Sequence, residues 1–278
     1  MSKVAVIGIV GNSVFLAVDK FHEGGETVEA KSVHFELGGK GFNQAVAAAR
    51  YGAKTSFLAA VGADGIDAVG AFLDREGIAA TLVKKDEGTA FASIVTDKNG
   101  SNHVTVYQGA QLSREDVFCF EEKIREADIL LLNNEVNEEV NILAIEIAKK
   151  YGVKVILNPA PARESDGFIL ENVDLFTPNE HETLGLEDKE NVIITVGKRG
   201  CIIKSENNMN IPAVNVARVL DTTGAGDTFN GVLAASLAEG SGLAEAAAVA
   251  NTASSIGVTR RYAVSSIPTR EEIENQMK

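Results

Sequence analysis

Tryptophan is absent from this chain of 278 residues, and cysteine occurs only twice, at Cys119 and Cys201. Two thiols so far apart are too few for a disulfide framework or a cysteine-rich zinc site, so both are expected to be core thiols in a reducing compartment, one in a helix and one in a strand. Basic charge is also scarce. There are 26 Lys and Arg against 39 Asp and Glu, a formal charge of −13 with a pI near 4.8. That balance argues against a general nucleic-acid surface or a partner membrane of anionic lipid, and it means that any phosphate site must be made positive locally. No apolar run reaches membrane-spanning length, and the opening Met-Ser-Lys-Val-Ala-Val-Ile-Gly lacks a long apolar segment with a cleavage site, so a cytoplasmic location is expected. Repeats, low-complexity tracts and linkers are lacking too. The chain is long enough to bury a sizeable core, and residues 1–278 read as one domain.

What is there centres on Asp221-Thr222-Thr223-Gly224-Ala225-Gly226-Asp227-Thr228-Phe229-Asn230-Gly231, which leads from a short apolar segment into an Ala-rich helix. Three small residues let the backbone turn tightly and bring its N–H groups close to a ligand. The helix that follows points its unpaired N–H groups and positive dipole end at the same spot, which suits a phosphate. Asp227 stands where the dipole stabilises a carboxylate; it is expected to be ionised at neutral pH and able to accept a proton from an attacking hydroxyl. The competing reading is a Gly-rich turn with Asp227 as a capping residue. A Walker loop is excluded, because the closing Lys-Ser/Thr pair is missing.

Taken in order, residues 4–10 form an apolar run typical of a buried parallel strand, ending at Gly11-Asn12-Ser13 where a ligand crevice would open. Partial alternation over 14–18 and 27–37 predicts half-exposed strands of a small flap. Gly38-Gly39-Lys40-Gly41-Phe42-Asn43-Gln44 then opens an amphipathic helix to about residue 51, a second candidate anion or hydroxyl site. A strand (55–61), a helix (66–76) and three short strands (81–85, 90–96, 103–107) follow, the last two joined by the hairpin signal Asp97-Lys98-Asn99-Gly100. From residue 113 helices (113–125, 138–151) alternate with strands (128–132, 153–157, 174–177), which predicts an α/β fold with a parallel sheet covered on both faces. Only about a dozen residues separate 177 from the next strand at 192–196, close to the minimum for a parallel crossover. A β-rich piece (201–219), the central helix, a second Ala-rich helix (243–256) and a charged C-terminal helix complete the chain.

Three spaced motifs, Gly-Gly-Lys-Gly-x-Asn near residue 40, Thr-Pro-Asn-Glu-x-Glu at 177–182 and the 221–231 stretch, resemble those of the ribokinase or PfkB family of carbohydrate kinases. Asn158-Pro159-Ala160-Pro161-Ala162-Arg163 and Gly25-Glu26-Thr27-Val28 draw the resemblance towards ribokinase-like members, and it covers nearly the whole chain. It implies a Rossmann-like, mostly parallel central sheet flanked by helices, a small β-sheet lid from about 12–37 and 87–108, and transfer of the ATP γ-phosphate to a sugar hydroxyl. The family's base falls on Asp227 and its anion hole on Gly224, Ala225, Gly226 and Asp227, in agreement with the reading of the residues themselves. Phosphoryl transfer needs mainly positioning and charge neutralisation, which N–H groups with Mg2+ supply. Asn179 and Glu182 match an element that places Mg2+ and phosphate through water; at a spacing of three they would share a helical face, although alone the pair would read as a helix start. Thr195, Gly197, Lys198 and Gly200 match the nucleotide loop and Asn251 a position near it, while Lys198 or Arg199 could equally be solvated. Asp221, Thr223, Gly257, Arg260, Tyr262 and Ser266 match the oxygen set of a monovalent cation, K+, with a strand-end turn as the plain alternative.

On the acceptor side, Gly39, Lys40 and Asn43 match a hydroxyl-binding stretch, and Glu135 matches a sugar-binding position. After the first strand, however, ribokinases carry Asn and, two residues on, Asp, where this chain has Gly11 and Ser13. The sequence therefore predicts an acceptor other than ribose, with Gly11 making room for a bulkier sugar, a modified sugar or a nucleoside. The expected enzyme is an ATP-dependent sugar kinase; the alternatives are a nucleoside kinase of the same family and a non-catalytic sugar or nucleotide sensor. A homodimer through the β lid is the expected assembly.

Overall fold

In the computed structural model, residues 2–278 are described except 100 and 206, so the tip of the 97–100 turn at Gly100 lies outside the described residues. The chain opens with β1 (Lys3–Ile7), crosses at Gly8 into β2 (Gly11–Ala17), and returns through β3 (Ser32–Gly38) to α1 (Lys40–Tyr51). Next come β4 (Lys54–Gly62), α2 (Ile66–Arg75), β5 (Ala79–Lys85), β6 (Ala90–Thr96) and β7 (Asn102–Tyr107). The alternating part consists of α3 (Glu121–Glu126), β8 (Ile129–Asn133), α4 (Glu138–Tyr151), β9 (Lys154–Asn158), α5 (Gly167–Asn172) and β10 (Leu175–Phe176). It is followed by β11 (Ile193–Thr195), β12 (Cys201–Ile203), β13 (Met209–Ile211), α6 (Ala225–Ala238), α7 (Leu243–Gly257) and α8 (Arg270–Met277).

Six strands make a parallel sheet in the order β10-β9-β8-β1-β4-β5. Within the unbroken apolar run of β1, Val4 and Val6 face one hydrophobic cluster with α1, α6 and α7, and Ala5 and Ile7 face the other with α3 and α4. Both faces of the strand are buried, which is why the run shows no polar alternation. Four strands, β3-β2-β6-β7, form a second sheet in which only β2 and β6 run parallel. β11, β12 and β13 form a small antiparallel sheet tied to the edge of the large one by the parallel bridges Phe176↔Val192 and Asn179↔Thr195. The short connection between residues 177 and 192 contains no helix, so these bridges replace a helical crossover.

Three local expectations are corrected. The segment expected as one helix over 113–125 is a 3-10 stretch, Arg114–Phe120, followed by the short α3. That stretch turns Cys119 outward, so it is exposed and not a core thiol, whereas Cys201 is buried in β12 and burial pushes its thiol up to about 11. Alternation over 27–37 becomes strand only from Ser32, the preceding residues being irregular.

α1 and α6 cross in close contact at Gly231, where a Cβ would lie 2.3 Å from the Gln44 carbonyl oxygen. That approach needs glycine, and it sets the first turn of α6 against the first turns of α1. Among the described residues, no helix is long and apolar enough to cross a membrane.

Candidate active site

Gly224 caps α6 in the left-handed conformation (φ 75°), with Ala225, Gly226 and Asp227 as the first three helical residues. The Ala225 N–H donates to the Thr222 carbonyl, while the N–H groups of Gly226 and Asp227 have no partner among the described residues. Two free amides at a helix start, beside a glycine-permitted turn, form a concavity suited to an anion. The Asp227 side chain is buried and gripped by α1: Asn43 Nδ2 donates to Oδ2 at 2.9 Å and Gln44 Nε2 to Oδ1 at 3.2 Å. Burial raises its pKa, opposed by the Lys40 charge and the two amides. The helix terminus alone predicts the opposite direction; enclosure outweighs it, because a carboxylate loses more solvation on burial than a partial dipole charge returns.

Lys40, the first residue of α1, is held above its ordinary pKa chiefly by Asp227, against burial, with Glu135 and Glu182 adding to the pull. Glu135, just beyond β8, accepts the Lys40 N–H at 2.7 Å. Burial, then Asp227, push its carboxyl up to about 7, although Lys40 and nearby amides pull it down. Gly39, Lys40, Asn43, Glu135 and Asp227 thus stand together. Asn43 Oδ1 and Gln44 Oε1 are buried without a partner among the described residues, so the cluster retains acceptor capacity for hydroxyls.

Gly11 and Ser13 lie on β2, where Gly11 pairs with Gly38, the residue before Gly39, and a Cβ on Gly38 would lie 2.7 Å from Ser13 Oγ. A Cβ at Gly11 would meet the Ala90 carbonyl oxygen at 2.4 Å, so the glycine opens no space for a larger acceptor: β6 fills it. Ser13 pairs across the sheet with Glu36.

From Lys40, Asn158 and Asp227 a cleft of about 820 Å³ runs past Asn179, Glu182 and Gly224 to Thr195, Gly197, Lys198, Gly200 and Asn251, floored by Val214, Val216 and Val258. It brings together every candidate nucleotide residue. Asn179 and Glu182 are not on a helix: Glu182 accepts the Asn179 N–H at 3.0 Å in a non-helical turn, a capping contact closed without helix propagation. Lys198 is exposed, Arg199 pairs with Glu180, and Asn251 Nδ2 donates to the Ile211 carbonyl at 3.0 Å, holding the end of β13 against α7. Among the described residues no group of three or more His, Cys, Asp and Glu is placed to hold a metal, and Glu182, expected to place Mg2+ through water, lines the cleft.

Asp221 Oδ1 accepts from the Thr223 N–H (2.9 Å) and hydroxyl (2.7 Å), and Oδ2 from the Tyr262 N–H (2.9 Å). Burial would raise its pKa, but these donors together hold it below its ordinary value. Tyr262 takes a left-handed φ of 71°. Arg260 pairs with Glu272, its N–H donates to the Gly257 carbonyl, and the Ser266 hydroxyl donates to the Ala263 carbonyl. The set expected for K+ thus forms two hydrogen-bonded groups, Asp221 with Thr223 and Tyr262, and Arg260 with Gly257 and Ser266; an ionised carboxylate with hydroxyl and carbonyl oxygens is the donor chemistry that a hard monovalent cation would take.

Sequence reasoning assigned no role to Asn158 or Glu36, and took Gln44 only as the end of the 38–44 stretch. Gln44 donates to both Asp227 and Asn158, and Asn158 donates to the Thr177 carbonyl. The signal for Gln44 was its place next to Asn43; nothing local marked Glu36.

A family model described as pfkB family carbohydrate kinase matches residues 1–270. Ribokinase of Haemophilus influenzae is 37% identical over 295 residues, covering 97% of this chain and 96% of that protein. Deoxyribokinase of Salmonella typhi is 33% identical over 301 residues, covering 99% and 98%. The solved structure of Arabidopsis thaliana ribokinase complexed with ribose and ATP superposes with a TM-score of 0.87 at 27% identity, covering 100% of this chain and 99% of that one.

Proposed function

Since this chain belongs to the pfkB family of carbohydrate kinases and is a phosphotransferase of that family, we propose that it moves the γ-phosphate of ATP onto a hydroxyl of a sugar or sugar derivative held under the four-stranded sheet, which acts as the lid of a single catalytic domain. The observation that carries this reading is the buried Asp227 beside the free N–H groups of Gly226 and Asp227, at the meeting of the acceptor cluster and the nucleotide cleft. The acceptor hydroxyl gives its proton to Asp227, oriented by Asn43 and Gln44, as its oxygen attacks phosphorus in line with the leaving group. The free amides and Lys40 receive the charge on the transferred phosphoryl group. Mg2+, when bound, neutralises charge on the phosphate oxygens.

The names of the relatives point to ribose and deoxyribose. We take D-ribose to be a weak acceptor here, because Gly11 offers no side chain, Ser13 is neutral, and the Glu36 carboxylate across from it is engaged elsewhere. The test is an ADP-release screen over pentoses, hexoses, amino sugars and nucleosides, run beside Asp227→Asn. Turnover lost in the variant supports the assignment. Preference for nucleosides would make the chain a nucleoside kinase, and binding without turnover a sensor. Val33, Phe35, Phe91 and Tyr107 lie exposed on one face of the lid, and we read that face as the contact of a homodimer, tested by light scattering on Phe35→Glu.

A further inference from the structure

Glu36 lies on β3 of the lid, four residues before Lys40, yet its carboxylate does not face the acceptor cluster. It is almost fully enclosed, with 8% of the side chain exposed. Oε1 accepts the N–H groups of Ala263 (2.7 Å) and Val264 (3.3 Å), and Oε2 accepts the N–H (3.3 Å) and hydroxyl (3.0 Å) of Ser265. Four donors on one carboxylate make a charge-assisted staple between segments 227 residues apart. Its neighbours reinforce it: His34 stacks on Tyr262 at 3.7 Å and 10°, and Phe15 of β2 meets the same ring edge-on at 5.2 Å.

The stapled segment touches the catalytic turn directly. A Cβ on Gly224 would lie 3.1 Å from Ala263 Cα, so Ala263 is packed against the residue that caps α6. The preceding Tyr262 N–H donates to Asp221, at the start of the same turn. Four successive amides, 262–265, therefore divide between one carboxylate beside the anion hole and one on the lid.

We propose that Glu36 is a positioning residue that couples the lid to the anion hole: with β3 docked on 263–265, Ala263 braces Gly224 and the Gly226 and Asp227 amides are set for the transferring phosphoryl group. Release of Glu36 lets lid and turn move independently. The proposal rests on the reading of 224–227 as the anion hole given above, and its exchange measurement needs no turnover, so failure of the acceptor assignment stays separable from failure of the staple.

The experiment compares the full-length protein with Glu36→Ala, Glu36→Gln and Ser265→Ala, by hydrogen–deuterium exchange with Mg·ADP bound and by kinetics with ATP and D-ribose as probe acceptor. In Glu36→Ala, exchange over residues 222–228 is expected to quicken about tenfold. kcat should fall about ten- to a hundredfold, as for a displacement of about 1 Å in a reacting geometry, while KM for ATP stays within about twofold. Glu36→Gln, which keeps the shape and one carbonyl oxygen, should fall between Glu36→Ala and wild type. A role confined to stapling the loop would quicken exchange only at 262–266 and leave kcat unchanged. Normal kcat, or unchanged exchange at 222–228, in the folded variant overturns the proposal. If Glu36→Ala does not fold, Ser265→Ala, which removes a single hydroxyl donor, must show the same pattern at about two- to threefold; a silent Ser265→Ala would then overturn it.

Discussion

Replacing Glu135 by Gln isolates the cost of enclosing an acid beside Asp227. Glu135 titrates at about 7 in the folded chain against an ordinary 4.5, burial being the larger cause and the Asp227 charge the next. A raised acid holds its proton in the folded state where the unfolded chain has already released it. Stability is therefore full below about pH 4.5, falls as pH rises, and levels off once pH passes about 7. At about 1.4 kcal/mol per pH unit the displacement corresponds to about 3 kcal/mol, and the partial solvent access of the residue lowers this to about 2–3 kcal/mol. Glu135→Gln keeps an oxygen for the Lys40 N–H and removes the titration. Urea unfolding of both proteins from pH 4.5 to 8 should show the variant gaining about 2–3 kcal/mol on the wild type across that range, with most of the change complete by pH 7. A constant difference at all pH values would refute the reasoning, since Glu135 would then carry no raised titration.

Other substitutions address the remaining parts of the site. Asp227→Asn should lower kcat about 10²–10⁴-fold with ADP affinity, read by calorimetry, nearly unchanged, because the amide keeps the shape but takes no proton. Gly11→Asn must push its Cβ into the Ala90 carbonyl, 2.4 Å away, so it should destabilise the fold by about 1–3 kcal/mol in urea unfolding and should not raise ribose activity. Replacing K+ by Na+ should slow turnover, and Asp221→Ala should abolish that difference; equal initial rates in both salts would remove the cation from the site. With the native acceptor found, kcat/KM for D-ribose should lie about ten- to a hundredfold below it, since a neutral Ser13 replaces a charge-assisted hydrogen bond; efficient ribose turnover would reverse that reading.

Much of this molecule is legible along the chain, because it depends on residues near one another in sequence. The apolar run of β1, the glycine openings of α1 and α6, and the small residues before Asp227 all dictate local backbone; the helices open where they were expected, while the first strand stops at Ile7 and Gly11-Asn12-Ser13 begins β2 instead of ending it. Of the candidate acceptor residues, Lys40 and Asp227 line the same cleft as the candidate nucleotide residues, since strand ends and helix starts of a parallel sheet converge on one edge. Distance and enclosure were not legible. Whether Gly11 leaves a space depends on Ala90, in another strand of the lid, and the direction in which Asp227 titrates depends on α1 closing over it. The Asn179 and Glu182 spacing suited a helical face as well as the turn that forms, because the same capping contact closes either one. Glu36 reads locally as an ordinary strand residue, and only the docking of β3 on 263–265 gives it a partner. Local propensity sets which backbone shape a segment takes; which groups lose water, and against whom, is decided when segments far apart in sequence pack together.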